Sequence, residues 1–397
     1  MSTAFTFTRS PSTKITTEVV QSGLVPADNT LILIGHLAAS GSTVAAGSLT
    51  TINNYGDPVA AAAECTGYFG AGSEAGAMVV AAINAVFLSD LQNKAYPPIV
   101  VLALAHGDTS STLATSLNAH LTTPMPFVAS PYDGSDTVGL NALQTFLAAI
   151  SANDRGAHGQ FGSLGVIGID TDTSAAVAQG VASSSSNISF GWLRDLAGTT
   201  ANTPAQVAAA LAALYAAMAI PYNPLNDVLV GGLVAPSNRA DWHTTGDAGT
   251  VALGLNGGLT PLYVDALGNI RISRSITAQR TVSTTPDAAY YDVQDWQILY
   301  LMRTNAYITA QQPRYRQGKA SDQNLQALKS ELLDAALSMQ SLGMLQHVEQ
   351  LAALFTVARQ PQNRYAAVYY VPVNVIPGFH NKGIDIVGTE LFDIVVS

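Results

Sequence analysis

Leu31-Ile-Leu-Ile-Gly35 is an uninterrupted apolar run of strand length, and the same kind of run returns as Ile99-Val-Val-Leu-Ala-Leu104, Phe127-Val-Ala129 and Leu164-Gly-Val-Ile-Gly-Ile169. Runs this short that do not alternate with polar residues fit strands covered on both faces. Between them lie stretches with helical spacing, near Ser73 to Leu88, Val138 to Ser151 and Thr173 to Ser183. Strand and helix in alternation predict an α/β unit built on a mostly parallel sheet.

Working outward, the unit closes on a helix for which Thr203 supplies the cap and Pro204 the first turn. Val207, Leu211, Leu214, Tyr215 and Met218 form its apolar stripe, and Pro221 ends it. Two prolines and two asparagines between Ile220 and Asn226 mark a boundary. Four segments result: an extended N-terminal arm (1–22), an α/β domain (23–220), an α+β C-terminal core domain (221–382) and a C-terminal β arm (383–397). In the first arm Ile15, Thr17 and Val19 alternate with Lys14, Thr16 and Glu18 at the strand period.

The core domain after Pro221 opens with a hairpin, Leu262 to Val264 and Ile270 to Thr277, around Asp265-Ala-Leu-Gly-Asn269. Ile270, Ile272, Arg274 and Ile276 share one face of its second strand, so Arg274 is either an edge residue, half of a buried ion pair, or an intersubunit contact. Ser321 caps a helix with Leu325, Leu328, Leu332, Ala335, Ala336 and Met339 on one face; Gln326, Glu331, Asp334 and Ser338 point away, and Gly343 ends it. A second helix carrying Leu345, Val348, Leu351, Ala352 and Phe355 is predicted next, then strands at Tyr365 to Val375 and Gly383 to Ser397. In the last of these Phe392, Ile394 and Val396 alternate with Leu391, Asp393 and Val395, so both faces are apolar and the strand needs a sheet to join, its own or a neighbour's.

Composition narrows the function. A chain of 397 residues exceeds the usual size of one core, and 48% hydrophobic with 11% charged residues is far from the signature of disorder. So few charges on so large a chain predict that other copies cover much of its surface. The net charge of −10 comes mostly from the first part: 5 Lys and Arg stand against 13 Asp and Glu up to Ile220, and 12 against 14 beyond. Without a basic cluster, direct nucleic-acid binding is not expected. Cys65 is a lone cysteine and reads as a buried thiol. Residues 1–22 lack a secretory pattern and no run is long enough to span a membrane, which predicts a cytoplasmic protein with no membrane insertion.

Enzyme signatures fail one by one. None of the seven histidines stands in a metal-binding spacing, and Gly35 to Gly47, although glycine-rich, has neither Gly-Lys-Ser/Thr nor a Gly-x-Gly-x-x-Gly pattern and reads as a surface loop. Serines with His106, Asp108 or Asp170 could supply a triad, but no Gly-x-Ser-x-Gly elbow is present. Asp170 and Asp172 stand at the end of a parallel strand, where α/β enzymes place their sites, and read as helix caps. No catalytic residue, metal or cofactor is predicted.

The order of motifs in the last third resembles the C-terminal half of contractile-tail sheath proteins, those of Mu-like phages in particular. It runs Pro221-Tyr-Asn-Pro-Leu-Asn, Gly268-Asn-Ile-Arg-Ile-Ser-Arg-Ser-Ile-Thr277, Tyr291-Asp-Val-Gln-Asp before a long helix, Pro313-Arg-Tyr-Arg, the helical pair at 321–358, and Arg359-Gln-Pro-Gln-Asn-Arg364 before a β-rich tail. Leu31 to Gly35 resembles the family's first core strand, and Phe69-Gly-Ala-Gly-Ser73 its turn before a helix. Family members often insert an outer domain after that helix; here the chain passes almost directly to Ile99, as in a compact sheath.

The resemblance implies a structural subunit and no enzyme: hexameric rings stacked helically around an inner tail tube, assembled in the host cytoplasm into a virion tail and contracting for genome ejection. It further implies partners in the tube, baseplate and tail terminator proteins. Terminal arms that enter neighbouring subunits' sheets would carry Phe5, Phe7, Ile15, Val19, Ile384, Ile386, Phe392, Ile394 and Val396 here. Gln326, Lys329, Glu331 and Asp334 are the tube-facing candidates, and exchanging Glu331 and Asp334 together is expected to spare folding and impair assembly on tube. The sheath of a tailocin or type VI-like injector, or less closely an α/β hydrolase-like enzyme, are the alternatives.

Overall fold

The computed structural model describes residue 24 and residues 28–376, apart from 93, 153–161, 171–172, 184, 194–201, 219–220, 222–223, 237–249, 280, 283–284, 287–291, 317, 319–320 and 361–362. Both predicted arms, with Phe5, Phe7, Ile15, Val19, Ile384, Ile386, Phe392, Ile394 and Val396, therefore lie outside the described residues.

The chain runs β1 (Leu31–His36), β2 (Leu49–Ile52), α1 (Pro58–Phe69), α2 (Glu74–Leu88), β3 (Ile99–Leu104), α3 (Ser110–Asn118), β4 (Phe127–Ala129), α4 (Thr137–Ala152), β5 (Leu164–Ile169), α5 (Thr173–Ser183), β6 (Ile188–Trp192) and α6 (Pro204–Ala217). It continues with α7 (Thr250–Asn256), β7 (Leu259–Val264), β8 (Ile270–Ile272), a small ribbon of β9 (Thr281–Val282) and β10 (Thr285–Pro286), and α8 (Val293–Ala310). Last come α9 (Pro313–Arg316), α10 (Asp322–Ser341), α11 (Val348–Leu351), β11 (Thr356–Gln360) and β12 (Asn363–Tyr370). No helix among the described residues is long and apolar enough to cross a membrane.

Eight strands form one sheet in the order β2-β3-β1-β4-β5-β6-β7-β8, parallel from β3 to β7 with an antiparallel strand at either edge. The period of two sends Leu31 and Leu33 into the apolar layer under α1, α2 and α6, and Ile32 and Ile34 into the opposite layer under α3, α4 and α5. The first two strands beyond Ile220 do not start a new sheet, whereas β9–β10 and β11–β12 are separate two-stranded ladders. β7 adds parallel to β6 (Phe190 opposite Leu259), and β8 turns back on β7 through Asp265–Asn269, with Gly268 at φ 90° as the hairpin requires. Residues 227–230 then seal the outer edge: Asp227 N donates to Ile272 O (2.8 Å) and Val230 N to Ile270 O (2.9 Å).

α6 is capped as its sequence implies, Thr203 and Gln206 bonding reciprocally, but its apolar surface is wider than one stripe. From Val207 to Ala217 every residue is buried, because the helix lies between the sheet and α2 and its alanines form a second contact face. Gly168 permits this: a Cβ there would fall within the carbonyl group of Pro204. Cys65 is buried in the layer of α1 and α2, and burial followed by the neighbouring Glu64 charge pushes its thiol up to about 12.

α8 joins two cores. Val293, Trp296 and Tyr300 belong to the layer under the sheet, while Ile298, Leu301 and Met302 pack with Ala336 and Met339 of α10. Trp296 meets Phe127 of β4 edge-on at 5.8 Å and stacks on Tyr300 at 5.2 Å. The predicted second helix of the C-terminal pair shrinks to α11 and a 3₁₀ turn at Ala352–Leu354. Its intended first turn is taken by a returning strand: Leu345 bridges to Val375, Gln346 N donates to Asn374 O, and His347 turns left-handed at φ 59°. The apolar spacing belongs to a helix, but tertiary pairing claims the backbone. The strand predicted over Tyr365–Val375 likewise splits around Pro372 into β12 and the bridge at Val375.

Candidate assembly surface and the strand-end cluster

α10 presents the surface that the sequence singles out. Ser321 accepts from Asn324 N (3.3 Å) to start it, Leu328, Leu332, Ala336 and Met339 are buried, and Gly343 ends it at φ 76°. At 100° per residue Gln323, Gln326, Ser330 and Asp334 fall on one line, and all four are exposed. Lys329 and Glu331 flank this stripe and are half-buried. Glu331 does not point outward: its carboxylate pairs with Arg314 of α9 and accepts from the Tyr315 hydroxyl at 2.8 Å. Arg314 in turn lies 4.9 Å from the Tyr315 ring centre. Of the four tube-facing candidates, Gln326 and Asp334 thus stand on the exposed line, while Glu331 ties α9 to α10. The Pro313-Arg-Tyr-Arg motif contained both partners, but nothing in its spacing shows which carboxylate they hold.

Arg274 makes a two-pronged contact with Asp292, the N-cap residue of α8, at 2.9 and 3.1 Å. Its guanidinium is therefore bound within its own chain, the ion-pair alternative of the sequence reading. One turn on, Asp295 is buried with Oδ1 lacking a hydrogen-bond partner, as are Gln294 Oε1 and Gln297 Oε1. Burial, then repulsion from Asp292, pushes the Asp295 carboxyl up to about 7 against the opposing pull of Arg274. Sequence gave no signal for this group, since an acidic residue in a first helical turn is ordinarily exposed and favourable.

At the carboxyl edge of the sheet, where an enzyme of this architecture would hold its site, His36 Nδ1 contacts the Glu74 carboxylate and Nε2 lies 3.2 Å from the Tyr132 hydroxyl. Asp170, read from sequence as a helix cap, has its carboxyl raised by partial desolvation and then by Asp133 in the β4–α4 loop. Asp172 lies outside the described residues. Among the described residues no group of three or more His, Cys, Asp or Glu is placed to hold a metal ion.

No protein-family model and no curated protein matches the sequence. Solved structures do. The sheath tail protein from Listeria innocua superposes with a TM-score of 0.62 at 13% identity, over 89% of this chain and 93% of that one. The fold is that of tail sheath proteins. The sheath fold extends to the helical sheath of the anti-feeding prophage in its contracted state, TM-score 0.60 at 13% identity over 96% and 100% of the two chains. The PVC sheath complex of an extracellular contractile injection system, also contracted, matches with a TM-score of 0.57 at 10% identity over 97% and 99%. Coverage this complete makes the eight-stranded sheet and the α8–β12 region parts of one sheath architecture.

Proposed function

We propose that this chain is the structural subunit of a contractile sheath, polymerising as stacked hexameric rings around an inner tube and contracting to drive that tube through a bacterial envelope for genome ejection. The observation that carries the reading is the match to sheath structures along 89% to 97% of the chain. The sparse charge supports it, because subunits that bury most of their surface in a lattice need little solvation. Its action is mechanical: a few kcal/mol per subunit stored in bistable packing sums over a long array to a large free energy without bound fuel.

Arm exchange is supported by the β11–β12 ladder, which among the described residues has two strands. A two-stranded hairpin is marginal alone in water, and a strand added from a neighbour's arm would complete it with main-chain bonds that persist while subunits slide. The exposed line Gln323, Gln326, Ser330 and Asp334 is the proposed tube-facing surface, where weak, screened polar contacts permit release. Baseplate association follows from the match to a chain of the anti-feeding prophage baseplate, TM-score 0.59 at 12% identity over 95% of this chain; a tail terminator is the remaining partner. Because one of the matched sheaths comes from an extracellular contractile injection system and another from an anti-feeding prophage, the sheath of a phage-derived injector is the second reading.

Removal of residues 383–397 tests the reading. We predict that the full chain pellets as polymer in high-speed sedimentation while the truncated chain stays in the supernatant with unchanged circular dichroism. Equal pelleting of both would refute arm exchange, and no pelleting of either, even with tube present, would refute the sheath.

A further inference from the structure

Three parallel strands end around one crevice. β1 leads to α1 and α2 on one face of the sheet, whereas β3 and β4 lead to α3 and α4 on the other, so the carboxyl ends of β1, β3 and β4 surround a point where the winding reverses. Doubly wound proteins bind ligands at such points. Here His36, Glu74 and Tyr132 meet at that point.

His36 is the last residue of β1 and Glu74 the first of α2. Besides the contact of His36 Nδ1 with the Glu74 carboxylate, the His36 backbone N lies 3.4 Å from the same oxygen. Gly35 lets the two elements meet, since a Cβ there would stand 2.6 Å from Ala75 Cα. From the β4–α4 loop Tyr132 packs edge-on to the imidazole at 5.5 Å, its hydroxyl 3.2 Å from Nε2. The other titratable groups facing this place are carboxylates and one further imidazole. Asp108 accepts from Ala105 N (3.0 Å), His106 lies against Leu37 O (3.3 Å), Asp136 accepts from Val138 N and Gly139 N, and Asp133 faces Asp170.

We propose that His36 is a proton-operated staple: as an imidazolium it sets a positive charge between the carboxylates of Glu74 and Asp108 and holds the first turn of α2 against the end of β1. When the proton leaves, the neutral ring can still donate to Glu74 while the Tyr132 hydroxyl turns to donate to Nε2, so the hydrogen bonds survive. What is lost is the charge, and Glu74 and Asp108 then repel across the crevice. The hydrogen bond to Glu74 is the first cause, desolvation opposes it, and the Glu74 and Asp108 charges add to it; the result is a proton affinity above that of a free histidine. A folded-state affinity above the unfolded one means stabilisation that is complete below the unfolded value of about 6.5 and is lost as pH rises through the folded value.

The test is urea unfolding of the full chain from about pH 5.5 to about pH 8.5, combined with hydrogen exchange at the Glu74–Met78 turn. All variants are made on a D295N background, which removes a carboxyl that titrates in the same pH range. The parent's midpoint should fall as pH rises past about 6.5, with a several-fold loss of protection at that turn after correction for intrinsic exchange. H36Q and E74Q should show no such fall, while Y132F, which removes a hydrogen bond and no charge, should keep it. A fall of parental size in H36Q or E74Q overturns the staple, and so does its loss in Y132F alone. Should H36Q fail to fold, E74Q and the parent's exchange profile decide alone: protection at the turn that does not change with pH overturns the proposal.

Discussion

At Asp295 burial and helix electrostatics compete. A carboxylate in the first turn of a helix gains about 0.3–1 kcal/mol from the macrodipole, yet here a buried oxygen has no hydrogen-bond partner and Asp292 sits one turn back. Burial wins, and the carboxyl is held up to about 7. An acid whose folded value is raised costs nothing below its unfolded value of about 3.9, because both states are then protonated; the cost grows as pH rises towards the folded value and is complete above it. We predict that D295N is more stable than the parent by about 1–3 kcal/mol at pH 8 and equal to it at pH 4 in thermal unfolding. A variant less stable than the parent at pH 8 would show that the charge is accommodated. At this scale sequence was a partial guide. Arg274 among isoleucines left an edge position, an ion pair or an intersubunit contact open, and Cys65 announced a buried thiol. Glu331 could not be read, because its partner Arg314 is 17 positions away in the chain, nor could Asp295, because the burial that decides its state is set by the tertiary packing of α8.

Among the elements, α10 carries the sharpest distinction between folding and assembly. Glu331 holds α9 through Arg314 and Tyr315, whereas Gln326 and Asp334 are exposed. The expected outcome for E331A is a loss of about 1–2 kcal/mol in urea unfolding, since the pair is partly exposed and screened. For Q326A with D334A it is unchanged unfolding with weakened co-sedimentation on tube. The reverse pattern would place the tube-facing surface elsewhere. Helices with a capping residue and a clean stripe, α2, α6 and α10, were legible from sequence, and α1 could have been: Asp57-Pro58 is the same cap-and-proline signal as Thr203-Pro204, and Asp57 does accept from Val59 N at 2.9 Å. The helix predicted after Gly343 was not recoverable, because the strand that takes its backbone returns from Asn374 to Ile376.

For the molecule as a whole, short apolar runs announced the parallel sheet, and the order of motifs in the last third announced the sheath fold. That β7 and β8 extend the same sheet was not legible. The prolines and asparagines after Ile220 read as a boundary, and strand partners so far apart in sequence leave no local mark. The proposed role as a contractile sheath subunit requires this chain to polymerise. Electron microscopy of the purified full chain over a range of concentrations tests it most directly: hollow, transversely striated cylinders are the predicted result, and discrete single-chain particles at every concentration, with and without tube, would contradict it.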